Sequence, residues 1–160
     1  MIRFIAAVDS QLGIADDHGI PWQGLVPTDK DFYHRNILSG GVILMGYGLY
    51  KELKKPYDAG VNYVATGKQN VELSPGFAAV PDARKFQAEA KEDVWKVGGA
   101  QLYASTFDQA DELYITQLDK TFNCTKFFPP FKDKFILSSE SEPITENGIT
   151  YTFQIWKRKP

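Results

Sequence analysis

Cysteine and histidine are scarce in this 160-residue sequence. Its single cysteine, Cys124, cannot form a disulfide within the chain, and its two histidines, His18 and His34, lie in different segments with no cluster of further metal ligands. A structural disulfide and a bound metal ion are therefore not expected. An unpaired cysteine is typical of a reducing compartment, so we expect a cytoplasmic protein.

Long apolar runs and an excess of one charge are also missing. The longest segment without a charged side chain, 36–50, has fifteen residues and four glycines, which is too short and too broken for a transmembrane helix. The apolar run 4–8 is shorter than the hydrophobic part of a secretion signal. The 18 basic and 20 acidic residues give a net charge of -2, without the basic excess typical of nucleic-acid binding. We expect a monomer that binds a small molecule, and neither nucleic acid nor a membrane.

The residues that are present describe an ordinary folded domain. Hydrophobic residues make up 43% and charged residues 24% of the chain, and no repeat or linker divides it, so one domain over 1–160 is expected. Short apolar runs alternate with helical segments along the chain. Strands are predicted at 4–8, 42–45, 62–66, 77–80, 94–97 and 113–118, and helices at 28–38, 49–53, 83–90 and 100–107.

Strands that alternate with helices predict an α/β fold, with a mostly parallel, doubly wound sheet and helices on both faces. The last strand differs, because the apolar residues of 149–155 alternate with polar ones, which is the period of an antiparallel strand. Asn147-Gly148 offers a hairpin turn before it, and 135–137 is its predicted partner. An antiparallel hairpin should therefore close the sheet at its C-terminal edge.

The segment 9–22 has no helical period and ends in Pro21-Trp22. An irregular loop of this length inside a domain is usually functional. It is either a lid, with Gly13 and Gly19 as hinges, or a loop whose Trp22 simply belongs to the core.

Asp29 lies near the start of the helix predicted after Pro27, where Thr28 and Asp31 have the spacing of a capping box. It shares a helix face with the apolar residues of 32–37, so its carboxylate should be buried. The carboxylate then either interacts with the positive end of the helix dipole or binds a cationic or amidine-like ligand. Burial of an unpaired carboxylate costs roughly several kcal/mol, and a cationic or amidine-like ligand would offset this cost.

Two glycine turns stand between a predicted strand and a predicted helix, Gly46-Tyr47-Gly48 and Gly98-Gly99. Backbone N–H groups at such a turn can bind a phosphate, and two turns would suit a dinucleotide. Glycine in this position is also ordinary turn chemistry, and neither turn matches the G-x-G-x-x-G pattern. Both interpretations stay open.

Taken in order, these motifs resemble the dihydrofolate reductase family over essentially the whole chain. The segments that carry the resemblance are Ile5-Ala6-Ala7, Gly13-Ile14, Pro21-Trp22, Asp29 with Phe32-Tyr33, 42–46, 97–103, 113–116, Phe128-Pro129 and 151–155. The resemblance implies hydride transfer from the nicotinamide of NADPH to C6 of the dihydropterin, with N5 protonated, to give tetrahydrofolate. It places the chain in one-carbon metabolism, as an antifolate target.

The same resemblance implies roles for individual residues. Asp29 would hydrogen-bond the pterin's 2-amino group and N3, Thr116 would support Asp29, and Trp22 would order a bridging water. The residues implied in substrate binding are Ile5, Ala6, Tyr33, Leu53, Lys55 and Val97. Those implied in cofactor binding are Ala7, Ile14, Gly46, Tyr47, Gly48, Thr66, Lys68, Gly98, Gly99, Ala100, Gln101, Leu102 and Tyr103. The family also has a cis peptide between the paired glycines.

The chain departs from the family at the positions that should bind anions. Gly60 stands where an Arg usually clamps the α-carboxylate of the glutamate tail, and Lys55 and His34 do not reproduce its bidentate fork. Segment 47–49 replaces an Arg and a Thr that contact cofactor phosphates, and Gln101 replaces a common basic residue. Thr66 and Lys68 then remain for the 2′-phosphate. Lys30 occupies a position where the family prefers an apolar side chain.

Three functions are compatible with these observations. The first is a dihydrofolate reductase with weakened recognition of the glutamate tail. The second is a reductase of an untailed pterin or a pyrimidine on the same fold. The third is a non-catalytic nucleotide-binding or receiver-like module, for which Asp16-Asp17 could form an acidic pocket, although this pair lies inside the loop rather than at a strand end.

Overall fold

A computed structural model of the chain describes residues 1–53, 55–58, 60–67 and 71–160. Within these residues the strands are β1 (Ile2–Val8), β2 (Gly13–Ala15), β3 (Val42–Gly46), β4 (Asn62–Ala65), β5 (Phe77–Val80), β6 (Val94–Lys96), β7 (Glu112–Leu118), β8 (Lys126–Phe127), β9 (Phe135–Glu140), β10 (Ile144–Glu146) and β11 (Ile149–Arg158). The helices are α1 (Pro27–Ile37), α2 (Tyr47–Glu52), α3 (Ala83–Glu89) and α4 (Ala100–Thr106), with a 3₁₀ helix at Phe107–Gln109. No helix in the described ranges combines the length and the apolar character needed to cross a membrane.

The main sheet runs in the order β5-β4-β3-β6-β1-β7-β11-β10. Its strands from β5 to β7 are parallel, and β11 is antiparallel to β7. Strand β9 pairs with the second half of β11, on the same edge as β10. This arrangement confirms the predicted fold class and the pairing of the last strand with the segment around Phe135. The turn at Asn147-Gly148, however, joins β11 to β10 rather than to β9.

Alternating side chains of the central strands build a core on each face of the sheet. On β3, Ile43 and Met45 pack in a cluster that includes residues of α1 and α2. Between them, Leu44 packs in the opposite direction, in a cluster that includes residues of α3 and α4. The buried centre of β3 is therefore covered by helices on both sides, as a short continuous apolar run predicts for a parallel strand.

The loop after β1 is more ordered than its sequence suggests. Strand β2 lies inside the segment that we predicted as irregular, and it pairs with β8. The buried carboxylate of Asp9 accepts hydrogen bonds from the backbone N–H groups of Gln11, Gly13 and Phe122, at 2.9, 2.8 and 3.0 Å. The order of this loop thus depends on a buried side chain and on distant partners, which no local period reveals.

The capping box predicted at the start of α1 is wrong. Val26 is the N-cap residue, and its side chain makes no hydrogen bond to the first turn of α1. The Thr28 hydroxyl donates instead to Glu146 of β10, at 2.6 Å. A carboxylate from a distant hairpin has replaced the local partner, Asp31, which is exposed.

Candidate functional site

The site lies at the carboxyl ends of the parallel strands β1, β3 and β6, where open α/β sheets bind their ligands. The segment after β1 leads to α1, whose first turns carry Asp29. Strands β3 and β6 end at the two glycine turns. The fold thus brings the predicted acidic residue and both predicted turns to one edge of the sheet.

Asp29 is bonded to Thr116. The hydroxyl of Thr116 donates to Oδ1 of Asp29 at 2.6 Å. Thr116 is 2% exposed in β7, between Ala7 of β1 and Phe153 of β11, so the hydroxyl is held by three paired strands. Asp29 itself is half-buried at the start of α1. The two residues that the resemblance paired are therefore in contact.

Burial raises the pKa of Asp29 to about 6. The hydrogen bond from Thr116 acts in the opposite direction, because it stabilises the ionised form, and the negative charge of Glu146 raises the pKa further. Asp29 is then mostly ionised at neutral pH but gains a proton within a unit or so of it. A carboxylate in this range can accept a strong hydrogen bond from a ligand and respond to protonation nearby.

An apolar cluster of residues includes Tyr33, which senses the charge of Asp29. Ile5 and Val97, from β1 and the end of β6, are buried in one cluster with the partly buried Tyr33 and Leu53 packed against it. All four were predicted to bind substrate. The other two residues predicted to bind substrate, Ala6 and Lys55, lie elsewhere. Ala6 packs in the cluster on the opposite face of the sheet, and Lys55 is exposed.

Two phenols meet at this cluster. The Tyr33 hydroxyl donates to the Tyr57 hydroxyl at 2.9 Å. The backbone of Tyr57 is held by the fully buried Asn62, whose Oδ1 accepts from its N–H at 2.8 Å and whose Nδ2 donates to its carbonyl at 3.0 Å. Tyr57 was not predicted, because it belongs to no strand or helix and no motif marks it.

The two glycine turns are in direct contact. The Gly46 N–H donates to the Gly98 carbonyl at 2.7 Å, and a methyl group at Gly46 would lie 3.3 Å from the Gly99 nitrogen. The Gly98-Gly99 peptide is cis, as the resemblance implied. Among the described residues, and apart from the chain neighbours and the backbone of the same helix, no heavy atom would lie within 4 Å of a methyl group at Gly48 or Gly99, so there is space beside both turns.

Helix α2 begins inside the first predicted turn, at Tyr47, and α4 begins directly after the second, at Ala100. Neither N-cap glycine offers a side chain to the first N–H groups of its helix. These groups can bond an oxygen-rich ligand instead. Close turns, nearby space and available N–H donors fit a dinucleotide held by backbone groups.

Tyr103 and Trp22 support the walls of the site. The Tyr103 hydroxyl donates to the Ile5 carbonyl at 2.6 Å, which fixes α4 and the second turn against β1. Trp22 is 2% exposed and lies 5.0 Å from the Phe122 ring, in a cluster against which Ala7 packs. Its burial favours the interpretation that Trp22 belongs to the core. Because Ala7 packs against the same cluster, Trp22 also lies near β1, a strand of the site.

The remaining predicted cofactor residues have varied environments, and their roles stay predictions. Leu102 packs in the cluster with Val80 on the far face of the sheet, and Gln101 is exposed. Tyr47 stacks on Tyr50 at 5.6 Å. Those that are partly buried near strand or helix ends are Ile14, Thr66 and Ala100. Lys68 lies outside the described residues.

Comparisons with known proteins agree with this geometry. A family model described as dihydrofolate reductase matches residues 1–158. A dihydrofolate reductase of Bacillus subtilis (strain 168) is 29% identical, with 99% of this chain and 95% of the relative covered. One of Drosophila melanogaster is 28% identical, with 99% of each covered. The solved structure of a dihydrofolate reductase from Enterococcus faecalis, complexed with NADP(H) and RAB-propyl, matches the fold with a TM-score of 0.86 at 18% identity, covering 100% of this chain and 97% of that one.

Proposed function

Because this chain belongs to the dihydrofolate reductase family, we propose that it reduces 7,8-dihydrofolate to 5,6,7,8-tetrahydrofolate, with hydride added at C6 and a proton at N5. It is an NADPH-dependent oxidoreductase. The observation that carries the specific reaction is the Asp29–Thr116 hydrogen bond at the carboxyl end of the sheet. This bond fixes a carboxylate whose pKa burial raises to about 6, near an apolar cluster.

Asp29 binds and orients the pterin in this proposal. Its ionised carboxylate accepts hydrogen bonds from the amidine-like edge formed by the 2-amino group and N3, which offsets the cost of burying it. Thr116 donates to Oδ1 and so fixes the plane of the carboxylate. The negative charge favours protonation at N5, and the proton arrives through solvent rather than from Asp29 directly.

The glycine turns would hold the cofactor. NADPH, when bound, supplies the hydride from its nicotinamide ring. The N–H groups that follow Gly46 and Gly99 would bond its phosphates, and Ala7 and Ile14 would line the nicotinamide channel. Thr66 and Lys68 are the residues we propose near the 2′-phosphate. Trp22 excludes bulk water from the strand that carries Ala7 and orders the remaining water.

Dihydrofolate-dependent loss of NADPH absorbance tests this function directly. We expect turnover with dihydrofolate, and thermal stabilisation of the protein by NADPH and by methotrexate separately. Absence of both stabilising effects would instead favour the non-catalytic nucleotide-binding module. Stabilisation by NADPH alone, without turnover, would contradict the proposed substrate.

Recognition of the glutamate tail should be weak in this enzyme. Gly60, at the position of the usual Arg, is exposed with a φ of 65°. The apolar cluster carries the hydrogen-bonded phenols of Tyr33 and Tyr57. A phenol can donate one hydrogen bond to a carboxylate but cannot give the charged, bidentate contact of a guanidinium. We propose a raised KM for dihydrofolate compared with family members that have the Arg. An untailed dihydropterin is therefore the second candidate substrate.

Gly60→Arg should lower the KM for dihydrofolate by about 10- to 100-fold, since a charged hydrogen bond contributes about 1.5–3 kcal/mol. The KM for dihydrobiopterin, which has no glutamate tail, should not change. Gly60→Gln is the matched control, because it has the same backbone strain at positive φ without the charge. Steady-state kinetics with both substrates give the answer. An equal response of the two substrates, or an equal effect of Gln and Arg, would contradict a missing clamp.

A further inference from the structure

Glu146 joins the C-terminal hairpin to the helix that carries Asp29. Its carboxylate accepts a hydrogen bond from the Thr28 N–H at 3.2 Å and another from the Thr28 hydroxyl at 2.6 Å. The Tyr151 hydroxyl of β11 donates to the same carboxylate. Glu146 therefore bonds three donors, and two of them belong to the residue directly before Asp29.

These contacts replace a helix cap. The N-cap residue of α1, Val26, has no side-chain acceptor for the first turn. Glu146 supplies that acceptor from β10, and its negative charge lies at the positive end of the helix. Its neighbour Asn147 adds a second tie, since its Nδ2 donates to the Leu25 carbonyl at 2.8 Å. The first turn of α1 is thus fixed by the hairpin on one side and by the Asp29–Thr116 bond on the other.

Glu146 also acts on Asp29 through its charge. The hydrogen bonds from Thr28 and Tyr151 lower the pKa of Glu146, so it stays ionised across the neutral range. The groups that face Asp29 are Thr116 from β7, Tyr33 from α1, Tyr151 from β11 and Glu146 from β10. Among them, Glu146 contributes the charge that raises the pKa of Asp29. Glu146 therefore acts on the Asp29 carboxyl group in two ways: through its hydrogen bonds to Thr28, which we call the tether, and through its negative charge.

We propose that Glu146 is a positioning residue for the reductase reaction: it holds the first turn of α1 so that Asp29 meets both Thr116 and the pterin. This inference rests on the proposed function. It goes beyond that function because the donors to Glu146 belong to Thr28 and Tyr151 rather than to the pterin site, so Glu146 acts through Thr28 and through its charge.

Two variants separate the tether from the charge. Glu146→Gln removes the charge and weakens the bonds to Thr28. We expect kcat/KM for dihydrofolate to fall about tenfold, because a small misplacement of a binding group lowers the rate strongly, and the titration midpoint of the Asp29 carboxyl to move down. Thr28→Val removes the hydroxyl donor and keeps the charge. It should lower kcat/KM with a smaller change in the midpoint.

Glu142→Gln is the matched control, since Glu142 is an exposed carboxylate just before the same hairpin. It should leave kcat/KM and the Asp29 midpoint unchanged. The midpoint is measured by carbon-13 NMR of the Asp29 carboxyl in the ligand-free protein, and the assignment is checked with Asp29→Asn. Rescue of kcat/KM by Glu146→Asp, which restores the charge, would support the proposal.

Wild-type kcat/KM and an unmoved midpoint in Glu146→Gln would overturn the proposal. A lower melting temperature with both values unchanged would also overturn it, because Glu146 would then be purely structural. The carboxyl titration needs no substrate. If the wild-type chain lacked reductase activity, the proposed function would fail, while a shifted midpoint in Glu146→Gln would still support the action of the Glu146 charge on Asp29.

Discussion

Asp29→Asn should lower kcat for dihydrofolate reduction by about 10²- to 10³-fold, while NADPH binding stays within about twofold of the wild type. Asparagine keeps the size of the side chain and can still accept from Thr116, so the local packing should survive. It cannot supply the negative charge that holds the amidine-like edge and favours a proton at N5. Steady-state kinetics and a fluorescence titration with NADPH measure the two quantities.

The pH dependence of stability separates this loss from unfolding. The pKa of Asp29 is raised to about 6 in the folded protein, so the folded state binds this proton more tightly than the unfolded state. The resulting stabilisation is full below the unfolded pKa near 4 and is lost as the pH rises through about 6. Above pH 6 the asparagine variant should therefore be at least as stable as the wild type in urea unfolding. A low rate then reports chemistry rather than damage to the fold.

Ligand binding gives a second view of the same carboxyl. Dihydrofolate binding to the complex with oxidised cofactor should weaken as the pH falls below about 6, because Asp29 becomes neutral. This loss of dihydrofolate affinity at low pH should be absent in Asp29→Asn. Asp31→Asn is the control, since Asp31 is an exposed carboxylate on the same helix. A wild-type rate in Asp29→Asn would refute the role given to Asp29.

The fold could be predicted from local patterns because its central strands are short, continuous apolar runs. Phe4 and Ile43, for example, lie in runs bounded by charged or glycine-containing segments, and both are fully buried. The Asn147-Gly148 turn was recognisable from its sequence alone, although β10, which it joins to β11, was not. β10 has only three residues, and its register is set by β11.

The site was predictable only in part. Asp29 stood out because a carboxylate shared an apolar helix face, whereas Thr116 became a candidate through family resemblance alone. Glu146 and Tyr57 carried no signal. Glu146 bonds Thr28, which lies 118 residues away in the sequence. The backbone of Tyr57 is held by the buried Asn62, which has no feature that distinguishes it from other strand residues in the sequence. Contacts of this kind depend on how the sheet brings distant segments together, which no local period records.

The burial of Lys96 could not be predicted from local sequence patterns either. Its replacement has the largest expected effect on the free energy of unfolding. We predicted only a strand residue there, yet Lys96 is fully buried. Its Nζ donates to the Thr106 hydroxyl and lies 4.7 Å from the centroid of the Phe4 ring. Burial lowers the pKa of Lys96 to about 7, repulsion from Arg84 lowers it further, and attraction to Asp108 opposes both.

This pKa sets the sign of the effect. The ordinary pKa of lysine is 10.5, so between about pH 7 and pH 10.5 the unfolded chain binds more protons at Lys96 than the folded chain does. The free energy of unfolding therefore rises with pH across this window, at up to about 1.4 kcal/mol per unit. Below pH 7 the lysine is charged in both states, and the full cost of burying it remains.

Lys96→Met should raise the free energy of unfolding at pH 7 by about 1–4 kcal/mol, as replacement of other buried charges by apolar side chains has done. Methionine fills a similar volume beside Phe4, and the Thr106 hydroxyl keeps its bond to the Leu102 carbonyl at 2.7 Å. The gain should shrink toward pH 10, because the wild-type lysine is then neutral when folded. Urea unfolding at three pH values measures it, with the exposed Lys91→Met as the control. A loss of stability at pH 7 would mean that the bonds made by Lys96 outweigh its burial.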